Sequence, residues 1–84
     1  MENHTMPFKS EHSCRLKSPV PYRGEKGICR RKPSGNIINI VCRPKGRRVP
    51  MVRQAIRYPT KSWSTDDARA NCHKHHGEFH PAKG

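Results

Sequence analysis

Eighty-four residues, 31% of them hydrophobic and including eight Pro and six Gly, amount to one small domain. At this size an apolar core is only marginally stabilising. Eighteen Lys and Arg against six Asp and Glu give a net charge of +12, which excludes an acidic mimic of nucleic acid and favours polyanionic partners.

Residues 1–9 are polar and aperiodic, and are expected to form a flexible N-terminal tail. A single small domain then spans 10–82. The opening stretch MENHTMPFKSEHS lacks the apolar segment of a secretory signal, and no run of about 18 apolar residues marks a membrane span. The expected setting is therefore the cytosol, with no membrane partner. There, four cysteines are expected as reduced thiols or metal ligands rather than disulfides.

EHSCRL (11–16) alternates, with His12, Cys14 and Leu16 on one side, and reads as a short strand. Residues 17–35 hold three prolines and three glycines and read as a basic irregular loop. NIINIVCR (36–43) is rich in β-branched residues and is the strongest strand. PKGRR (44–48) is a hairpin turn, with Gly46 able to take positive φ. VPMVRQAIRY (49–58) returns as the partner strand, Pro50 suiting its start or an edge.

Strict alternation along this return places Val52, Gln54, Ile56 and Tyr58 inward, opposite Ile38, Ile40 and Cys42. Arg15, Lys17, Arg43, Arg53 and Arg57 then share an open sheet face on which every charge is positive.

In SWSTDDARANCHKHHG, Ser64 and Asp67 have capping-box spacing, and Asp66 and Asp67 suit the first turn of a helix. Lys74, His75 and His76 suit its last turn, and Gly77 its C′ position. The helix spans 64–76. Ala68 and Cys72 share its inward stripe, and Trp63 folds onto the core. EFH (78–80) has room to add a short closing strand. The fold class expected is α+β: a small antiparallel sheet of about three strands, with a short fourth allowed, and one C-terminal helix packed on one face.

The cluster CHKHHGEFH raises the question of zinc. Cys72 and His76 lie four apart on a helix, and His12 and Cys14 two apart on a strand; together they have the makings of a tetrahedral site. No C-x-x-C knuckle supports it, and buried or loop thiols account for the same residues, so no cofactor is expected. No nucleophile–base–orienter set and no phosphate-cradling loop appears. The chain reads as a non-enzyme.

The positions of EHSCRLKSP, GNIINIV and VRQAIRYPTKSWSTDDARANCHKHHGEFHPA resemble a small domain of tailed phages and prophages. In those it occurs alone or attached to head-maturation proteins. The matching features are His12-Ser13, Arg15-Leu16, Pro19, the QAIRYP strand, Trp63-Ser64 before a helix containing Ala68, and the closing HGEFHPA. The resemblance implies the cytoplasm of an infected bacterium, or the virion, as the setting.

From Lys26 to Thr65 the chain has eleven Lys or Arg and no Asp or Glu. The binding residues expected are Arg30, Arg31, Lys32, Arg43, Lys45, Arg47, Arg48, Arg53 and Arg57, acting on nucleic acid (RNA or DNA) or a ribonucleoprotein. The alternatives are an anti-defence inhibitor, for instance of a CRISPR nuclease, docking on an acidic protein surface, and a capsid-associated structural protein.

Overall fold

The computed structural model describes residues 9–17 and 27–83. In chain order these form β1 (Glu11–Arg15), β2 (Gly27–Ser34), β3 (Ile37–Pro44), β4 (Val52–Pro59), α1 (Thr65–Lys74) and β5 (Glu78–His80). The strands make one antiparallel sheet in the order β2-β3-β4-β1-β5. The class is α+β as expected, with five strands rather than about three and a short fourth. The expected tail lies, except for Lys9, outside the described residues, as does 18–26 of the expected loop.

The strand that sequence reasoning missed is β2. Its Pro33 and flanking glycines suggest a loop, but β2 lies at the sheet edge, where a missing N–H breaks no interior ladder. Gly35, at φ 64°, supplies the left-handed turn into β3. The pairing then runs without interruption from Ser34 opposite Ile37 to Gly27 opposite Pro44.

On β4 the strict alternation fails. Ile40 pairs with Ala55 but Val41 pairs with Arg53, so Gln54 is a bulge. Gln54, Ala55 and Ile56 are consequently buried in succession. The bulge is anchored to the end of β1: Leu16 N–H and Lys17 N–H donate to Gln54 O at 2.9 and 3.2 Å, and Gln54 Nε2 donates to Lys17 O at 2.8 Å. Val52 therefore does not share a face with Ile56 and Tyr58, and Arg53 does not share one with Arg57.

The main core lies between α1 and the sheet: Cys14, Ile56, Tyr58, Ala68 and Cys72, bordered by Leu16, Ile37, Trp63 and Phe79. Tyr58 is fully buried and its hydroxyl donates to Asn71 Oδ1 at 2.8 Å, which satisfies the one polar atom its burial would strand. A second cluster, Ile40, Cys42 and Ala55, with Ile38 beside it, occupies the other face.

The helix begins as expected: Ser64 Oγ accepts from Asp67 N–H at 3.1 Å. Its end differs. His75 is the C-cap and His76, at φ 60°, is the left-handed residue. Gly77 N–H donates to Cys72 O and His76 N–H to His73 O, both at 3.0 Å, the Schellman pattern. Gly77 thus stands one position beyond the expected C′. A Cβ there would meet Cys14 Sγ, Leu16 Cδ2 at 3.0 Å and Arg15 O at 3.1 Å, so the glycine serves close approach to β1 rather than the turn.

The free-thiol expectation is corrected. Cys14 is disulfide-bonded to Cys72, 58 residues away, with Cα atoms 5.4 Å apart. Cys29 is bonded to Cys42, its register partner across the β2–β3 hairpin. The physical reason lies in the folding itself: inward positions on β1 and α1 meet once the helix packs, and a thiol facing a thiol at bonding range is a cystine in waiting.

Candidate nucleic-acid interface

Helix α1 packs over β1 and β5, and no other described element covers the β2–β3 half of that sheet face. On it Arg30 stands opposite Val41 and Lys32 opposite Asn39. The bulge turns Arg53 to the same side, opposite Val41, where its guanidinium donates to Asn39 Oδ1 at 3.3 Å. Arg30, Arg31, Lys32, Val41 and Met51 line a shallow depression at this edge.

Past the end of the sheet, turn 44–48 carries Lys45, Arg47 and Arg48, all exposed. Gly46 takes φ 81°, and Arg47 N–H closes the turn on Pro44 O at 3.4 Å. Arg43 is tied into this turn as well. Its guanidinium donates to Arg47 O at 2.9 Å and Pro44 O at 3.4 Å, so it braces the turn that presents its neighbours.

The other sheet face is not uniformly positive, as alternation alone suggests. Glu11 on β1 receives Arg31 at 2.7 Å and Arg57 at 3.3 Å, and Glu78 receives Arg15 at 2.6 Å. Strands β2 and β1 are three places apart in the sheet, so the Arg31–Glu11 contact reaches across β3 and β4 on this face. Of the nine expected binding residues, Arg31 and Arg57 are thereby occupied by a carboxylate. Arg30, Lys32, Lys45, Arg47, Arg48 and Arg53 remain on the other surface. Glu11 and Gln54 are the residues whose roles sequence reasoning missed. Glu11 lies in the one strand that places an acid beneath two arginines from distant sequence.

Hydrogen bonding from Arg31, opposed by partial burial and reinforced by the positive charge of Arg31 and by Arg57, holds the Glu11 carboxyl below its ordinary value of 4.5. Burial lowers the Arg57 guanidinium from its ordinary value, countered by Glu11. A depressed carboxyl means that the unfolded chain takes up the proton first as pH falls. The Glu11 contribution is therefore complete above the ordinary carboxylate range and is lost as pH drops below 4.5 towards the folded-state value. Glu11→Gln is expected to cost about 1–2 kcal/mol at neutral pH, because it removes the negative charge that accepts from both Arg31 and Arg57. The same substitution should flatten the acid limb of a stability-against-pH curve; an unchanged limb would assign that limb to other groups.

The four residues considered for zinc do not converge as ligands. Cys14 and Cys72 are bonded to each other. His12 is buried, and its Nδ1 accepts Ala82 N–H at 2.8 Å while its ring rests against Phe79. His76 is exposed at the helix end. Among the described residues no group of three or more His, Cys, Asp or Glu is placed to hold a metal.

Aromatic stacking also finds little here. Tyr58 is buried, and Trp63 packs edge-on against it while its Nε1–H donates to Asn36 O at 2.9 Å. Tyr22 lies outside the described residues. No described helix is long and apolar enough to cross a membrane. No family model, no curated protein and no solved structure matches the chain.

Proposed function

We propose that this protein is a non-enzymatic module that binds the phosphate backbone of nucleic acid, bare or within a ribonucleoprotein. What carries the reading is the clustering of Arg30, Lys32, Arg53, Lys45, Arg47 and Arg48 along the uncovered β2–β3 surface and its adjoining turn. No Asp or Glu occurs between residues 26 and 65 to offset them. Arginine predominates, and its planar fork suits phosphate better than an ammonium does. With few aromatics available for stacking, binding is electrostatic and weakly selective for sequence.

The setting follows from the resemblance to the tailed-phage domain, as an infected cell or a virion. The two disulfides favour an oxidising environment, and so the virion over the bacterial cytoplasm. They also keep a capsid-associated role in view as the second reading.

Titration of single- and double-stranded RNA and DNA of mixed sequence tests the proposal. With six cations engaged, affinity is expected to fall about a thousandfold between roughly 50 and 200 mM salt. Arg47→Glu with Arg48→Glu should weaken binding to every sequence alike and leave the thermal midpoint within about 0.5 kcal/mol of stability, since both side chains are solvent-exposed on a turn. No interaction with any nucleic acid at low salt would overturn the reading. It would leave the basic surface to an acidic protein, such as a host-defence nuclease.

A further inference from the structure

The sheet ends in two unlike edges. β5 spans three residues, whereas β2 spans eight and no described strand pairs with its outer side. The register fixes which backbone groups that side presents. A two-residue turn separates Ser34 from Ile37, so these two form its closing hydrogen-bonded pair. Bonded and non-bonded pairs then alternate along the hairpin. By that count Arg30–Val41 and Lys32–Asn39 are bonded pairs, and Cys29–Cys42, Arg31–Ile40 and Pro33–Ile38 are not. The Cα separation of Cys29 and Cys42, 4.1 Å, agrees, since non-bonded pairs stand at about 4.5 Å and bonded ones at about 5.5 Å.

The N–H and C=O groups of Cys29 and Arg31 therefore point away from β3, to the open edge. Pro33 shares that orientation and has no N–H to offer, so the last outward donor is at Arg31. Side chains then choose the partner. Arg30 and Lys32 lie on the helix-side face, Lys32 opposite Asn39 and Asn39 opposite Ile56 of the main core. No described carboxylate pairs with either cation. Arg31, on the opposite face, is held by Glu11. A second copy of β2 is a poor added strand, because antiparallel self-pairing sets cation against cation. An acidic strand has the complementary pattern: residues opposite Arg30 and Lys32 share their face and bring carboxylates to them. Phosphate oxygens only accept hydrogen bonds and leave the outward carbonyls unmet, so this edge asks for a peptide backbone.

We propose that the outer edge of β2 docks an extended acidic segment of a partner protein, which adds antiparallel along 27–31 as a further strand. Carboxylates at every second position of that segment face Arg30 and Lys32. The residues between them exchange backbone hydrogen bonds with Cys29 and Arg31. This contact stands whether or not the protein binds nucleic acid.

Amide hydrogen exchange of the oxidised full chain, read by NMR, tests it with three short capped peptides. One alternates Thr and Glu, one alternates Thr and Lys, and the third is the Thr–Glu peptide N-methylated at its threonines. In the free protein the Arg30 and Lys32 amides should exchange about tenfold more slowly than those of Cys29 and Arg31. At low salt the Thr–Glu peptide should slow Cys29 and Arg31 by about tenfold, and the Thr–Lys peptide should not. The N-methylated peptide keeps every carboxylate but loses the backbone donors, so it should protect neither amide. Arg30→Glu with Lys32→Glu should transfer protection from the Glu peptide to the Lys peptide. No slowing by the Thr–Glu peptide, or equal slowing by either of the other two, would overturn the proposal. So would slowing that grows with protein concentration alone, which would assign the edge to a second copy. The peptide comparisons use the native sequence and need no variant to fold.

Discussion

Replacing Cys14 and Cys72 together by Ala is expected to lower the unfolding free energy by about 4 kcal/mol, the chain-entropy effect of opening a loop of this length. The bridge closes a separation of 58 residues, whereas Cys29–Cys42 closes 13 and should contribute about 3 kcal/mol. Small domains of this size have about 5–15 kcal/mol in total, so the first loss is a large share of the whole. The core offers little to offset it. Among the described residues its fully buried large side chains are Tyr58 and Ile56, alongside the sulfurs themselves. Urea unfolding of the oxidised protein and of the double variant, with both slopes reported, measures the difference. A midpoint shift equivalent to less than about 1 kcal/mol would show that packing of α1 on the sheet, rather than the cross-link, holds the fold.

The second large effect is expected at Gly77. Gly77→Ala should destabilise by about 2–3 kcal/mol, at the upper end of overpacking costs. The added methyl would be set against the Cys14 sulfur, Leu16 Cδ2 and the Arg15 carbonyl. Two of those three cannot swing away: one belongs to a cross-link and one to strand backbone. The backbone angle at His76 offers a contrast. It already takes φ 60°, so His76→Gly should stabilise rather than harm, by relieving a left-handed non-glycine residue. Thermal melts of both variants separate the two roles. If Gly77→Ala were neutral, the helix end would not be pressed against β1 as described.

The sign of the charge and the existence of most elements were legible in the chain alone. Ser64, Asp66 and Asp67 mark the start of α1 because capping is a local matter of donors without partners. The β-branched run before Cys42 marks β3 because such side chains suit a pleated surface. PKGRR marks the turn because Gly46 alone there tolerates positive φ. The six exposed cations of the proposed interface were likewise within reach, since a 40-residue span without acid needs no fold to be seen.

Everything that depends on which residues meet across distance was decided by the tertiary structure. The Gln54 bulge breaks a period of two that nothing local interrupts, and so sends Arg53 and Arg57 to opposite faces. Glu11 meets Arg57 because β1 pairs with β4, and Arg31 because β2 joins the same sheet face. Strand β2 forms, despite its proline, because an edge asks for fewer hydrogen bonds than an interior. The cysteines pair as they do because packing α1 on β1 brings 14 to 72, and hairpin register brings 29 to 42. Local sequence dictates what a short segment prefers; pairing, face and covalent partner follow from contacts between segments, which sequence spacing does not encode.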